Sequence, residues 1–488
     1  MRSLFSLHTP FEIVLVVLGG AICWLGSQYA TVELLALGSA ILAAVGVFHF
    51  YLCLAYRRSL WSLSDVLGAS LLISYFGGAA VTLFLTATEI LPFTSARRLT
   101  FLFETTVYIV MFAAMLALCG RIERYFWQET WRREETAEDW SFWVAPAIAL
   151  LVMAQVYCLA TGIISYQGTG HIGNAGELPY AGNLVIALSI PLSGACGWIL
   201  GRPELRANRM LLCVTLGAVP VQILFNLCFG RRVILFQMLI FLVCFVWARR
   251  RGFTVKQTVA MGLIALPLIF IFWNVFLAMR MDRYSDLRGE RRDIFDRLNT
   301  TAELMENNWE VIAKNQEQNV VTRVFVIGYL SDLMASNRPA PFFLGRQLAT
   351  ELVSSIPRVV LPGKVDIIAS LKAGEGEINE QFGLPNQDRA ESAIIAAYVD
   401  FSWFGLVLYP IVIAVLGAAF AYLSNVSASP FFRIYTVSYA FYIGISVEQT
   451  YIILVLNSLR TLLALALMFI VLDVFNRRRS PAVSARFR

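Results

Sequence analysis

A few charged residues lie at the edges of apolar segments, where this sequence otherwise carries little charge. Arg231 and Arg232 are adjacent at a tight turn between two such segments, and Glu391 and Asp400 come just before and at the entry to a later one. A guanidinium group holds a phosphate through a fork of parallel hydrogen bonds, and a carboxylate can remove a proton from an attacking hydroxyl. These residue types are therefore those of a group transfer from a phosphorylated substrate.

The composition indicates that helices in a bilayer position these charges. Apolar residues make up 58% of the 488 residues and charged residues 15%, proportions that a soluble chain of this length does not show. Lipid cannot satisfy open backbone groups, and the alternating pattern of a barrel is absent. The sequence predicts an all-α, polytopic integral membrane protein with about twelve spans. The predicted spans are 11–28, 32–55, 65–88, 99–119, 141–164, 182–200, 209–229, 232–248, 257–279, 403–424, 432–448 and 451–475.

The basic residues orient these spans. Most arginines at span ends fall on one side, which the positive-inside rule assigns to the cytoplasm together with both termini. The long polar interval from Arg280 to Glu391 then lies outside, in the periplasm of a Gram-negative cell, and we expect the protein in the bacterial inner membrane. The chain divides into 1–279 with the spans before the loop, 280–391 as a large periplasmic loop, 392–476 with the spans after it, and 477–488 as a basic cytoplasmic tail.

Two basic pairs break this distribution and fall on the outer side. They are Arg97-Arg98 and Arg231-Arg232, and Arg280 projects toward the same boundary. Two interpretations are open for the second pair: the side chains reach lipid headgroups, or they hold an anion. Arg460, some way inside the last span, is open in the same way, because it can serve a site or pair with Glu448.

The large loop is predicted to be a helical cap. Apolar residues recur at three- and four-residue spacing from Ile294 to Ile312, which predicts an amphipathic helix. A second helix is predicted from Val320 to Met334. A Pro-rich turn follows, then a short helix near 346–355 and irregular chain through the glycines between 374 and 383.

The remaining candidates have simpler explanations beside the functional ones. His171, in an outer loop, is the outward histidine that could act as a base near neutral pH, although a lone loop histidine is more often incidental. The cysteines are scattered within apolar segments, so they predict neither a disulfide framework nor a metal site. No Walker A loop, HExxH or CxxC pair occurs, and no metal or cofactor is predicted.

An arginine cluster at the outer boundary of a membrane suits a lipid-linked pyrophosphate. Such a substrate presents a doubly anionic head at that depth, while its tail lies in the bilayer. Arginines would hold the substrate and stabilise the departing pyrophosphate without a metal, and a carboxylate would deprotonate an attacking sugar hydroxyl. The charges are dispersed among loops, which argues against nucleic acid as a partner.

Three stretches of the sequence resemble the bacterial oligosaccharide repeat-unit polymerases, the Wzy-type O-antigen and exopolysaccharide polymerases. They are Phe229 to Arg232 at the start of a span, Ile356 to Lys364 with a Pro-Arg…Pro-x-Lys pattern, and Glu391 to Gly405 with an aromatic-Gly run at the start of the helix after the loop. The layout of spans and the late outer loop also match that family over most of the chain. The sequence departs from it in having Gly363 just before the lysine and no tryptophan before the second proline.

The resemblance implies a GT-C-like, metal-independent glycosyltransferase. It would transfer a growing glycan from undecaprenyl pyrophosphate to the next lipid-linked repeat unit, and a chain-length-regulating membrane protein is a candidate partner. Glu391 or Asp400 would be the base, with His171 in reserve, and Lys364 would either contact the acceptor's phosphates or cap the loop fold. The pyrophosphate-binding residues would be Arg231, Arg232, Arg280 and Arg358.

Other functions share parts of this pattern. An O-antigen ligase has the same donor and layout but relies on a histidine in its large outer loop, and none occurs between Arg280 and Glu391. A transporter or flippase for lipid-linked oligosaccharides would show internal repeats and helices broken at mid-membrane, and neither is evident in the sequence. A purely structural membrane partner is the weakest alternative, because charges within spans are costly. The sequence therefore favours the polymerase.

Overall fold

The computed structural model of the protein is helical throughout the part of the chain that it describes. This part comprises residues 8–52, 62–88, 96–132, 137–161, 180–227, 231–249, 326–336, 342–356, 360–385, 392–424, 430–447 and 455–463, with residue 452 and a few isolated residues between 263 and 310. No strand occurs in these ranges, and the predicted all-α class is confirmed.

The helices before the large loop are long and follow one another closely. They are α1 (His8–Gln28), α2 (Val32–Tyr51), α3 (Leu63–Ala87), α4 (Ala96–Arg132), α5 (Ala137–Ala160), α6 (Tyr180–Gly201), α7 (Pro203–Arg206), α8 (Arg209–Leu227) and α9 (Arg231–Ala248). The described loop helices are short. They are α10 (Val326–Met334), α11 (Arg346–Ser355), α12 (Lys364–Leu371) and α13 (Glu375–Phe382). After the loop come α14 (Ala393–Phe401), a 3-10 turn (Ser402–Phe404), α15 (Gly405–Ser424), α16 (Pro430–Ile445) and the helical segment 455–463.

Several of these helices are able to cross a membrane. By length and composition, six spans of the described chain qualify, and they are Pro10–Gln28, Val32–Tyr51, Leu63–Ala87, Leu102–Trp127, Arg209–Asn226 and Ala393–Ser424. Shorter apolar helices cover Val144–Ala160, Val185–Gly201 and Ile234–Ala248, at three further predicted spans. Apart from residue 263, the predicted span 257–279 lies outside the described residues. These apolar helices indicate a membrane-embedded protein.

The helix bundle has two chemically different ends. Near the start of α4, the Thr105 hydroxyl lies 3.5 Å from the sulfur of Met334, so the loop helices pack at this end. Near the other end of α4, Glu123 is fully buried. Eighteen residues separate Thr105 from Glu123, or about 27 Å of helix, close to the ~30 Å of a hydrocarbon core. We call these the loop end and the charged end of the bundle.

At the charged end, a buried carboxylate on α4 caps the first turn of α3. Glu123 accepts hydrogen bonds from the backbone N–H groups of Leu63 and Ser64, at 2.5 and 3.1 Å, and from the indole of Trp127 at 2.9 Å. The first turn of a helix has backbone donors without intrahelical partners, and a carboxylate there also meets the positive end of the helix dipole. Glu123 therefore fixes the start of α3 on α4.

Beside it, charged groups link the first helices. The Arg124 guanidinium holds both oxygens of Asp65, at 2.7 and 2.5 Å. The His49 ring lies 3.2 Å from Glu12 and 3.9 Å from Asp65. Side-chain contacts thus connect helices α1 to α4 at this end. The remaining length of these helices can therefore be apolar.

In the loop, the prediction of irregular chain between 374 and 383 is wrong. Residues Lys364–Leu371 and Glu375–Phe382 form α12 and α13. Gly363 and Gly374 stand at the N-caps of these helices, and Gly383, at a φ of 69°, ends the second. The glycines therefore separate helices instead of preventing them. The predicted helices near 346–355 and up to Met334 are present as α11 and α10.

The chain reverses sharply after α14. Ser402 has a φ of 54°, in the left-handed region, and a Cβ added to Gly405 would overlap the carbonyl oxygen of Ala397. The Tyr409 hydroxyl donates to Asp400 at 2.8 Å, a contact that a continuous helix would not allow. Helices α14 and α15 therefore form a helical hairpin, which was not predicted from the sequence.

Candidate functional site

The base of the hairpin lies deep in the bundle. Ser392 caps α14 and accepts a hydrogen bond from the Ile395 N–H at 3.3 Å, and its hydroxyl lies 2.5 Å from that of Tyr75, halfway along α3. Residues 393–400 are all buried. Helix α14 therefore starts well inside the membrane helices and runs toward the loop end. In sequence, Glu391 directly precedes this cap, but it lies outside the described residues.

At the top of α14, Asp400 caps a loop helix. Its carboxylate accepts hydrogen bonds from the backbone N–H groups of Gln347 and Leu348, at 3.0 and 2.9 Å, in addition to the Tyr409 hydroxyl. Asp400 is fully buried. The backbone bonds satisfy orphan donors in the first turn of α11, which is the ordinary role of a helix-capping carboxylate. These contacts account for Asp400 without a catalytic role.

Glu351, on the buried face of α11, is a carboxylate that the sequence reasoning missed. It is 2% exposed and accepts a hydrogen bond at 3.0 Å from the backbone N–H of Ile452. One turn earlier on the same face, the side-chain oxygen of Gln347 is buried and has no hydrogen-bond partner among the residues that the structure describes. No local sequence pattern marks Glu351, because its partner Ile452 lies 101 residues away.

Two cations meet at the C-terminal end of α11. Lys364 donates from Nζ to the carbonyl oxygens of Ser354 and Ile356, at 3.0 and 2.9 Å. Arg460 donates from Nη1 to the intervening carbonyl, that of Ser355, at 3.3 Å. The last carbonyls of a helix lack intrahelical donors and form the negative end of its dipole, so positive groups are stabilised there. We call Lys364 and Arg460 the cation pair.

The cation pair can still bind an anion. Arg460 is exposed, and among the described residues the bond to Ser355 is its one hydrogen bond. A guanidinium has five N–H donors, and the described residues engage one of those of Arg460. Lys364 shows the contacts of the loop-capping role that was considered for it, while a contact with acceptor phosphates stays a prediction. Arg358 follows Ile356 by two residues but lies outside the described residues.

A further arginine holds the loop helices together. Arg346 donates to the carbonyl oxygens of Phe343 and Leu371, at 3.3 and 3.4 Å, and to the side-chain oxygen of Gln381 at 3.3 Å. Its guanidinium also lies 4.3 Å from the centre of the Phe343 ring. One side chain therefore connects α11 to the end of α12 and to α13.

Aromatic side chains seat this assembly on the membrane helices. Tyr108 of α4 donates to the carbonyl oxygen of Ser402 at 3.1 Å and makes edge contacts with Tyr398 and Trp403. Tyr398 in turn contacts Phe342, which precedes α11. Such edge-to-face contacts favour one arrangement of rings over others. The hairpin and the loop are thus packed as one unit against α4.

Several predicted site residues cannot be compared with this geometry. Helix α9 begins at Arg231, but residues 228–230 before it and the side chains of Arg231 and Arg232 lie outside what the structure describes. His171, Arg280, Arg358 and Glu391 also lie outside the described residues. No cluster of three or more metal-ligating side chains occurs in the described part of the chain.

A second buried polar cluster lies near the predicted arginine turn. Gln222 of α8 donates to the side-chain oxygen of Gln237 at 2.8 Å and accepts from Gln155 at 2.6 Å. Ser193 of α6 also donates to Gln237, and Gln237 donates to the Ser189 hydroxyl at 2.9 Å. Helices α5, α6, α8 and α9 are thus joined by amides and hydroxyls, which act as interhelical contacts in apolar surroundings.

The fold and the loop site define an all-helical, membrane-embedded protein whose loop is anchored on its own membrane helices. Comparison with known proteins adds no closer relationship, because no family model, no curated protein and no solved structure matches the chain.

Proposed function

We propose that this protein is a glycosyltransferase that joins undecaprenyl-pyrophosphate-linked oligosaccharide repeat units into O-antigen or exopolysaccharide at the outer face of the inner membrane. The observation that carries the proposal is the cation pair, in which Lys364 and Arg460 meet at the end of α11. An exposed arginine on an apolar helix is stable at the depth of lipid headgroups. A lipid-linked pyrophosphate carries its charge at that depth.

The proposed reaction is a substitution at the sugar carbon that bears the pyrophosphate. A hydroxyl of the acceptor repeat unit attacks this carbon, and a glycosidic C–O bond forms. The C–O bond to pyrophosphate breaks, and undecaprenyl pyrophosphate leaves with the electron pair of that bond while a base takes the hydroxyl proton. Arg460 and Lys364, with Arg231, Arg232, Arg280 and Arg358, stabilise the charge that develops on the leaving group.

Glu391 is the proposed base. Asp400 was the other carboxylate expected in this role, but two backbone N–H groups and a tyrosine hydroxyl already engage it. A base must reach the proton that it removes, which favours a carboxylate without such structural contacts. His171 stays in reserve. The proposal also includes about twelve spans, a periplasmic loop and a chain-length-regulating protein as partner.

The test is glycan sizing in a deletion strain that carries variants of the gene. Arg460→Ala and Arg358→Ala should each lower polymer formation by about 10²-fold, the usual effect of losing one donor to a developing negative charge. Single repeat units should still be transferred to the final acceptor. Membrane insertion is checked by immunoblotting of washed membranes.

The control is Arg209→Ala, an exposed arginine at the start of α8 on the other side of the predicted topology. It should leave polymer length unchanged. Normal polymer in the Arg460 and Arg358 variants would overturn the proposal. Loss of all transferred glycan in the deletion strain, single repeat units included, would indicate a ligase instead.

One observation favours a second candidate, a flippase for lipid-linked oligosaccharides. The helix interruption at Ser402–Phe404, with α14 starting deep in the bundle, is the kind of broken helix that transporters use to build substrate sites. In a flippase deletion strain, lipid-linked repeat units accumulate on the cytoplasmic face. Under the polymerase proposal they reach the outer face, where an externally added glycosidase can digest them.

A further inference from the structure

Helix α12 is unusual among the described helices because none of its residues is buried. It nevertheless carries apolar side chains: Val365 is 54% exposed and Ile367 is 38% exposed, and Val360, just before the helix, is 71% exposed. A short helix in water gains nothing from such residues, because the hydrophobic effect favours their removal from solvent. We therefore expect another apolar surface to cover the exposed apolar side chains of this segment.

The contacts of α11 indicate where α12 lies relative to the membrane. Helices α11 and α12 pack together, and Lys364 at the start of α12 donates to the last carbonyls of α11. The same end of α11 is bonded by Arg460 of segment 455–463, which belongs to the predicted span 451–475. Leu463, nearly one turn beyond Arg460, is 50% exposed, as expected for a side chain that faces lipid.

The position of Arg460 indicates how deep this part of the protein lies in the membrane. An arginine that is exposed on an apolar helix reaches the headgroup region with its charged end while its stem lies along apolar surface. Because Arg460 holds the end of α11, that end lies at headgroup depth, and so does the helix that follows it. The apolar side chains of α12 are then next to the acyl chains.

The neighbouring loop helix shows the opposite character. In α13, Glu377 and Glu380 are exposed, while Ile378 and Asn379 are buried against the protein. The two adjacent short helices thus expose different side chains: α12 exposes Val365 and Ile367 beside Asp366, whereas α13 exposes Glu377 and Glu380. This division matches a segment that lies at a boundary between lipid and water, with α12 toward lipid and α13 toward water.

We propose that α12 is an interfacial helix, which inserts Val360, Val365 and Ile367 into the bilayer leaflet at the loop end, beside segment 455–463. The occupant of this apolar surface is the phospholipid bilayer itself. The assignment does not depend on the proposed enzymatic activity, because it follows from exposure and from the contacts of α11. It gives the large loop an attachment to the membrane in addition to its protein contacts.

The experiment measures nitroxide accessibility in phosphatidylethanolamine–phosphatidylglycerol vesicles containing the full-length protein. Single cysteines replace Val365 or Ile367 in a background without the native cysteines, and each is spin-labelled. The ratio of collisions with dissolved oxygen to collisions with a water-soluble nickel chelate should be several-fold higher at these positions than at Glu377→Cys on α13. Val415→Cys, at a 63% exposed position on α15, is the lipid-facing reference.

Two results would overturn the proposal. A ratio equal to that at Glu377→Cys would mean that α12 faces water, and low collision rates with both reagents would mean that another protein surface covers it. If the cysteine-free background is unstable, p-benzoylphenylalanine at position 365 or 367 of the wild-type chain provides the same test. Photo-crosslinks to radiolabelled phospholipid are then expected, and their absence, with crosslinks at position 415, would contradict the inference.

Discussion

Asp400 and Glu351 illustrate how a buried carboxylate can hold a loop on a membrane protein. Asp400 accepts the first backbone donors of α11, and Glu351 on α11 accepts the N–H of Ile452. Asp400 is thus placed at the positive end of α11, which offsets part of the cost of removing its charge from water. These two carboxylates form a chain of contacts from the hairpin through α11 to the next helical segment.

The first prediction distinguishes a cap from a base at Asp400. Asp400→Asn retains one acceptor oxygen, and asparagine is as good a helix cap as aspartate, so we expect a loss of about 1 kcal/mol in unfolding free energy. Asp400→Ala removes every acceptor and leaves the Gln347, Leu348 and Tyr409 donors without it, so we expect a loss of about 2–3 kcal/mol. Thermal unfolding in detergent is the measurement.

The amount of polymer formed by the same variants is the second measurement of this test. Asp400→Asn should retain most of the wild-type polymer, because a cap needs no proton transfer. Complete loss of polymer in Asp400→Asn with a normal unfolding temperature would contradict the capping role and make Asp400 the base. Asp366→Asn, at an exposed position on α12, is the matched control and should change neither quantity.

Only part of this site could be predicted from the sequence, because its contacts join distant positions. Asp400 could be singled out as a charge next to an apolar run, yet its backbone partner is 53 residues away. Glu351 and its partner Ile452 are separated by 101 residues, and nothing local marks either of them. Helix capping within a segment can be predicted from spacing, whereas capping by another helix depends on how the elements pack.

At the scale of elements, the hairpin depends on one close approach between helices. Gly405 lies against the carbonyl oxygen of Ala397, so any side chain at this position must displace backbone. Backbone cannot yield as a flexible side-chain end does, and overpacking of this kind costs about 1–3 kcal/mol or more. Since α14 also carries Asp400, a shift here would move the cap of α11.

The second prediction follows from this contact. Gly405→Ala should lower the unfolding temperature and loosen the loop, which limited proteolysis of the region 337–391 would detect. Gly217→Ala is the matched control, because no atom lies within 4 Å of the position of its added Cβ. That change should stabilise α8 by about 0.5–1 kcal/mol, since alanine is the better helix former. Equal behaviour of the two variants would contradict the close approach.

The helices themselves were the most predictable elements. Runs of apolar residues located nearly every described membrane helix, because lipid permits only helices and their length is set by the bilayer. The hairpin was missed because residues 393–424 are mostly apolar, and apolarity does not reveal where Ser402 reverses the chain. The loop helices α12 and α13 were missed because glycines were interpreted as breakers when they are caps.

For the whole molecule, α16 connects two groups of helices. Helices α1 to α4 pack with α15, while α5, α6, α8 and α9 form the second group, and α16 packs against α3 on one side and α6 on the other. Gly444 faces Val66, Tyr439 donates to the carbonyl oxygen of Ala187 at 2.6 Å, and Ser438 lies against Gly194.

The third prediction concerns which end faces the cytoplasm. The arginines around α7 and the start of α8 place that side inside by the positive-inside rule, so the loop helices should face the periplasm. Glu377→Cys on α13 and Glu204→Cys on α7 are both exposed and suit labelling with a membrane-impermeant maleimide. In intact cells with a permeable outer membrane, Glu377→Cys should be labelled and Glu204→Cys should not.

Disrupting the inner membrane should make both positions equally reactive, which shows that each cysteine is accessible in itself. Labelling of Glu204→Cys alone in intact cells would reverse the orientation. A donor carried by undecaprenyl pyrophosphate and an outward polymer product would then be incompatible with a site at the loop, because the cation pair would face the cytoplasm. Sidedness therefore constrains the activity proposed for this protein more strongly than any single substitution, since it decides which pool of lipid-linked glycan can reach Arg460 and Lys364.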